Sequence, residues 1–77
     1  MKIKVPNDTM EKIRIAKNGN ILAEQLDTLI SRDNTDYQRG ALHGFLLALT
    51  RLDIITGNEA IAVMEQAFDE AHNKIKK

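Results

Sequence analysis

The 77-residue chain contains no cysteine, one proline, one serine and few aromatic residues, which make up 4% of the sequence. Without cysteine, the chain forms neither disulfides nor thiolate metal sites. Its longest apolar run, residues 45–49, is too short to cross a bilayer, and its first residues do not resemble a secretory signal. We therefore expect a single soluble, cytoplasmic domain over residues 1–77, with no membrane partner.

The net charge is zero, because eleven basic residues balance eleven acidic ones. The charges are unevenly distributed: residues 1–17 and 74–77 are each positive by three, and residues 18–73 are negative by six. A lysine-rich last turn suits the negative end of a helix dipole, and we favour this simple interpretation. The alternative is that opposite charges guide head-to-tail or antiparallel assembly.

Apolar residues recur with helical spacing in three segments. The pattern predicts an all-α fold, a small three-helix bundle with helix 1 at about 8–31, helix 2 at about 35–53 and helix 3 at about 57–74. Three capping boxes mark the predicted helix starts, at Asp8 with Glu11, Thr35 with Gln38 and Thr56 with Glu59. A short extended N-terminal arm precedes them, and its alternating residues 1–5 fit either a strand or a tail.

The last predicted helix carries an unbroken apolar stripe at steps of three and four. Its members are Ile61, Met64, Phe68, Ala71 and Ile75. Such a helix must lie against another helix, in its own chain or in a partner. We therefore expect a homodimer or larger assembly that forms through helix 1 or helix 3.

Glycines interrupt two of the predicted helices. Asn18-Gly19-Asn20 is a strong turn signal inside helix 1, and a break there is the main alternative to a continuous helix. We favour continuity because Gly19 lies in the centre of the apolar stripe, where a neighbouring helix could approach closely. Gly40 and Gly44 in helix 2 indicate close packing of a crossing helix as well, since each interior glycine costs about 1 kcal/mol relative to alanine.

No motif in the chain carries a reaction. The only serine, Ser31, lies at a predicted helix end, and His43 and His72 lie on different helices. We therefore expect no enzyme and no cofactor. Glu65 and Asp69 precede His72 on one flank of helix 3, but a helical metal site needs further inward carboxylates from a second helix. We predict a solvated face there and no metal site.

Two surfaces define an alternative function, binding of a phosphate-bearing ligand or nucleic acid. Arg39, His43 and Thr50 share the polar side of helix 2 near its N-terminus, a combination that can hold a phosphate. However, Asp36 is a competing partner for Arg39, and an Arg–Asp pair on a solvated face is the favoured interpretation. Nucleic acid would contact the basic N-terminal segment, because the acids of helix 3 repel phosphates. That segment holds Lys2, Lys4, Lys12, Arg14 and Lys17.

The preferred function is binding of another protein. Met10, Ile13 and Ile21 form an apolar side of helix 1 that a bundle within one chain could leave free. They are therefore our predicted contact residues, and the equally weighted alternative is core packing, or helix ends covered by the N-terminal arm. The sequence leaves the partner and the number of subunits open.

A further indication comes from residues 37–45, Tyr-Gln-Arg-Gly-Ala-Leu-His-Gly-Phe, which are followed by Leu49, Leu52 and Ile54-Ile55-Thr56. This string resembles a pattern in short orphan accessory proteins of Gram-positive bacteriophages and prophages, over about residues 37–59. The resemblance implies a small viral protein that inhibits or redirects a host factor by binding it in the host cytoplasm. It carries over no site residues.

Overall fold

A computed structural model describes the backbone of residues 1–75 and the side chains of residues 1–73. Four helices follow one another in this part of the chain: α1 (Asn7–Ile15), α2 (Gly19–Ile30), α3 (Asp36–Arg51) and α4 (Gly57–Ile75). The all-α class is confirmed, and residues 1–5 are extended without belonging to a strand. The predicted count of three helices is wrong, because predicted helix 1 is divided into α1 and α2.

The division falls at the Asn-Gly turn signal. Asn18 adopts a left-handed backbone with φ of 59°, and the Gly19 N–H donates to the Ala16 carbonyl at 2.8 Å. A Cβ added to Gly19 would collide with the carbonyl oxygens of Ile13 and Arg14. Gly19 therefore permits the start of α2 to lie against the last turn of α1, and it is not a contact point for a crossing helix.

Local signals define the ends of α3 and α4. Thr56 and Glu59 form a complete capping box: the Thr56 N–H donates to Glu59 Oε1 at 2.9 Å and the Glu59 N–H to Thr56 Oγ1 at 3.2 Å. Thr35 accepts from the Gln38 N–H at 3.1 Å, but Gln38 Oε1 makes no hydrogen bond, so only half of that box forms. α3 ends in a Schellman motif, in which Asp53 is left-handed and the Ile54 N–H donates to the Leu49 carbonyl.

The predicted capping box at the start of the first helix does not form. α1 begins after Pro6, and no side chain caps it. Proline suits this entry because its fixed φ is already close to the helical value and it needs no hydrogen-bond partner for a backbone N–H. Asp8 lies in the first turn, where its charge still suits the positive end of the helix dipole.

Consecutive helices pack against each other, α1 on α2, α2 on α3 and α3 on α4. Their inward side chains form one core with residues of the arm and of the α3–α4 connection. The buried apolar residues are Val5, Met10, Ile13, Ala23, Leu26, Leu29, Leu42, Leu46, Leu49, Ile55, Val63, Met64 and Ala67. α3 contributes three fully buried leucines and contacts two helices, so it is the central element of the core.

Only part of the predicted apolar stripe of α4 faces this core. Met64 is buried, but Ile61 is 55% exposed and Phe68 is 57% exposed. The smaller side chains of Val63 and Ala67 are buried instead, which lets α4 approach its neighbours closely and leaves the bulkier side chains at the edge of the contact. The side chain of Ile75, the last member of the predicted stripe, lies outside the described residues.

The N-terminal arm runs along α4 and is held by side chains of that helix. The Lys4 N–H donates to Gln66 Oε1 at 2.9 Å, and Gln66 Nε2 donates to the Lys4 carbonyl at 2.8 Å. The Lys2 N–H donates to Glu70 Oε2 at 2.6 Å, and Val5 is buried. The Gln66 amide therefore satisfies both backbone groups of Lys4, as a neighbouring strand would.

Candidate functional site

An apolar groove of about 440 Å³ lies between α3 and α4. Leu47 of α3 and Ile61 and Phe68 of α4 line it, with 40%, 55% and 57% of their surfaces exposed. Met64 contributes to the floor, and His43 and Glu65 supply the titratable groups. A groove of this composition is suited to apolar side chains of a partner, because large exposed hydrophobic residues in contact with one another are uncommon on isolated small proteins.

The outer side of α3 continues this surface. Residues at steps of three and four form an exposed ridge opposite the buried leucines, and we call it the α3 ridge: Tyr37, Gly40, Gly44, Ala48 and Arg51. A Cβ added to Gly40 or Gly44 would meet nothing within 4 Å. No described helix of the chain therefore supplies the crossing helix that these glycines predict, because α2 and α4 pack beside α3 and leave the ridge open.

The α3 ridge and the groove together form one face, which we call the α3–α4 face. Its centre is apolar and its ends are charged, with Asp36 in the first turn of α3 and Arg51 in the last. Asp36 makes an ion pair with Arg39. Among the side chains that the structure describes, neither Arg51 nor Glu65 makes an ion pair. Both charges are thus available to a partner at the rim of the face.

The three predicted anion-binding residues do not form one site. Arg39 and His43 line a second hollow of about 330 Å³ together with Asp36, and His43 also lines the groove together with Thr50, so Arg39 and Thr50 lie at different hollows. The Thr50 hydroxyl donates to the Leu46 carbonyl at 2.9 Å, which uses its only donor. The favoured Arg–Asp pair is present, and a phosphate at this hollow would have to displace it.

Arg39 is held by more than its ion pair with Asp36. Its Nη1 donates to Asn34 Oδ1 at 2.6 Å, and its guanidinium carbon lies 5.7 Å from the centre of the Phe68 ring. At this distance the cation interacts with the ring face. Arg39 therefore fixes one end of the α3–α4 face instead of offering its charge to a ligand.

Asn34 is a site residue that sequence reasoning missed. Its Nδ2 donates to the Ala67 carbonyl at 2.9 Å and to Glu70 Oε1 at 2.7 Å, while its Oδ1 accepts from Arg39. One amide in the α2–α3 turn thus connects α3 with α4. The sequence carries no local signal of this role, since Asn34 is also an ordinary turn residue.

The predicted protein-contact residues are separated by the fold. Ile13 is fully buried and Met10 is buried in the core, so the core-packing alternative describes these two and neither forms a free surface. Ile21 is 68% exposed at the start of α2. The break at Asn18 changes the direction of the chain between α1 and α2, and so these side chains do not share one exposed stripe.

Glu59 connects α1 with the start of α4. Lys12 Nζ donates to its Oε1 at 2.9 Å, and the Thr9 hydroxyl donates to its Oε2 at 2.9 Å. The Lys12 ammonium, followed by the Thr56 N–H, lowers the pKa of Glu59 to about 2 against a partial opposing effect of burial. The carboxylate is therefore ionised at neutral pH and serves as a structural clasp.

The other charged residues singled out in the sequence lie on the surface. Glu65, Asp69 and His72 are exposed, and within the described part of the chain no three potential metal ligands come together. Of the basic N-terminal residues, which are all exposed, Lys12 is paired with Glu59. No helix among the described residues has the length and apolar character that a membrane span requires.

Comparison of the chain with protein-family models, curated protein sequences and solved structures finds no match. The all-α fold and the α3–α4 face are therefore the features that bear on function.

Proposed function

We propose that this chain is a non-enzymatic protein-interaction module that acts as a homo-oligomer and docks through the α3–α4 face. The observation that carries the proposal is the open space beside Gly40 and Gly44, next to the exposed side chains of Leu47, Ile61 and Phe68. Two interior glycines cost a helix about 2 kcal/mol relative to alanine. Among the described residues no packing offsets this cost, whereas a close helix of another subunit would.

We further propose that the chain is a phage- or prophage-encoded inhibitor or regulator that binds a host protein in the host cytoplasm. The resemblance to Gram-positive phage accessory proteins covers residues 37–59, which hold most of α3 and the start of α4. The resemblance and the open face thus fall on the same elements. This agreement supports a role in which that face makes the functional contact.

Two charged substitutions at the face test the proposal. In Leu47→Glu and Ile61→Glu, a carboxylate would be buried on docking, so we expect association with itself and with host proteins to fall at least tenfold. Ile21→Glu is the matched control, because Ile21 is equally apolar and exposed but lies on α2. Sedimentation velocity measures self-association, and cross-linking in a Gram-positive host measures capture of host proteins.

The opposite pattern would contradict the proposal. If Ile21→Glu abolishes association and the two variants at the face retain it, docking occurs on the α1–α2 side. Circular dichroism of every variant checks that the helices remain formed.

A double substitution of the histidines tests the proposal that the chain is not an enzyme. We expect a chain with both His43→Gln and His72→Gln to keep its cellular effect, because the amide retains size and polarity but cannot exchange protons near neutral pH. Loss of the effect with unchanged association would favour an enzyme.

A further inference from the structure

We infer that the α3–α4 face is occupied by a second copy of this chain, with the two α3 helices antiparallel and a two-fold axis passing close to Gly44. This inference rests on the proposed function and specifies the partner within it. A two-fold interface brings the same patch of both subunits together, so the patch must be complementary to itself. The α3 ridge meets this condition in shape and in charge.

The shape of the ridge is symmetric about Gly44. Tyr37 and Arg51 lie seven residues before and after it, and Gly40 and Ala48 lie four residues before and after it. In an antiparallel pair centred on Gly44, Gly40 lies opposite Ala48 of the second copy. The crossing therefore contains only small residues, and the helix axes can approach to about 9 Å, within the range of roughly 8–10 Å for packed helices.

The charges of α3 are complementary only in the antiparallel arrangement. Arg51 then lies beside Asp36 and Tyr37 of the second copy, where it can share the exposed Asp36 carboxylate with Arg39 and lie over the ring. The two helix dipoles are then antiparallel, which is their favourable orientation. A parallel pair would place Arg51 against Arg51 and Asp36 against Asp36. The zero net charge of the chain adds no long-range repulsion between copies.

The same axis covers the exposed apolar side chains. The two-fold axis is perpendicular to the plane of the two antiparallel helices. It therefore places the same flank of α3 from both subunits on the same side of that plane. Leu47 and the groove of each copy therefore lie on the same side of the crossing, next to their counterparts. An interface of ordinary size buries about 800 Å² of each subunit. The total accessible surface of the chain is 5284 Å².

Gly44→Leu tests the close approach. A Cβ at this position meets nothing within 4 Å among the described residues, and leucine favours the helix more than glycine does, so we expect the variant to fold at least as well as the wild type. At the crossing, however, the two leucines force the helices apart. We expect sedimentation velocity to show a wild-type mass of twice 8.7 kDa and at least a tenfold weaker dimer for Gly44→Leu. Gln25→Leu, exposed on α2, is the control and should remain dimeric.

Single cysteines test the direction of the helices, because the chain has none of its own. Under mild oxidation, Gly44→Cys should form a disulfide between two copies, since the Cα atoms at the crossing fall within the roughly 4.4–6.8 Å that a disulfide spans. Tyr37→Cys and Arg51→Cys should cross-link when mixed and not alone. Gln25→Cys gives the background rate.

Several results would overturn the inference. It is wrong if Gly44→Cys cross-links no faster than Gln25→Cys, or if Gly44→Leu leaves the dimer intact. Self-cross-linking of Tyr37→Cys would show a parallel pair instead. The wild type could also prove monomeric and lose its capture of a host protein in Leu47→Glu. The second copy would then be ruled out as the occupant, but the α3–α4 face would remain a docking surface. If Leu47→Glu and Ile61→Glu affect neither kind of association, the proposed function fails as well.

Discussion

Gly19 and Gly44 both lie on helices, but their surroundings are opposite. A side chain on Gly19 would collide with the carbonyl oxygens of Ile13 and Arg14, whereas one on Gly44 would meet nothing within 4 Å. The first glycine permits a contact inside the chain. The second leaves the backbone of α3 open to a contact from outside. Around Gly19 the chain completes its own packing, although Ile15 and Ile21 nearby are exposed, and beside Gly44 it does not.

The largest effect on stability is expected at Gly19, where α1 and α2 meet. Gly19→Ala places a Cβ against two backbone carbonyls that cannot rotate away, so we expect the free energy of unfolding to fall by about 2–4 kcal/mol. Urea denaturation measures the loss. A decrease below about 1 kcal/mol would mean that the joint between α1 and α2 can shift easily, and the comparison with Gly44 would lose its basis.

Glu59→Gln tests the clasp between α1 and α4. The wild-type carboxylate has a pKa of about 2 in the fold, below its ordinary value of 4.5. Its contribution is therefore fully present above about pH 4.5 and is lost as the pH falls towards 2. We expect Glu59→Gln to be less stable at pH 7 by on the order of 1–3 kcal/mol, and to lose this part of the acid dependence. The measurement is urea denaturation at several pH values.

The matched control for the clasp is Glu65→Gln. Glu65 is exposed on the same helix and makes no ion pair among the described side chains. Its replacement should leave the acid dependence of the wild type unchanged. Equal changes in both variants would show that general charge, and not the contacts with Lys12 and Thr9, sets the stability in acid.

Gln66→Leu removes both hydrogen bonds to the backbone of Lys4. We expect a loss of about 1 kcal/mol, because these groups lie at the surface and water replaces part of each bond. Hydrogen exchange should accelerate at the Lys4 amide. The Lys2 amide, held by Glu70, serves as the internal reference. If the Lys4 amide keeps its protection, the apolar contacts of the arm hold it without Gln66.

The smallest effect is expected on the open ridge and has the opposite sign. Gly40→Ala adds a methyl group that meets no atom, so only helix propensity changes and stability should rise by up to about 1 kcal/mol. The measurement requires low protein concentration, so that association does not contribute. A loss of stability would show that the ridge is covered within the chain, and Gly40 would then resemble Gly19.

Signals that act over a few residues were only partly predictable from the sequence, since the expected Asp8–Glu11 capping box does not form at the start of α1. The Thr56–Glu59 capping box is present, and Thr35 caps α3 as expected. Both depend only on residues three apart. The break at Asn18 was visible as a turn signal, but apolar residues at helical spacing continue on both sides of it, and this periodicity favoured one long helix.

Features that depend on distant residues could not be predicted in the same way. Gly40 and Gly44 indicate a close neighbour, but the pattern is the same whether that neighbour belongs to this chain or to another. The contacts of Asn34 with Ala67 and Glu70 join residues more than thirty positions apart. Ile61 and Phe68 share the periodicity of Met64, and only the packing of α4 on its neighbours shows which of them is buried.

The docking of the arm on α4 has a consequence for the order of events during synthesis. Gln66, the partner of Lys4, is synthesised 62 residues after it. Until then the arm lacks its hydrogen bonds to α4, and we expect it to attach last, after the helices have assembled from their nearer contacts. Pulsed hydrogen exchange during refolding would show this as late protection of the Lys4 amide. A nascent chain stopped before Gln66 would leave its first residues loose.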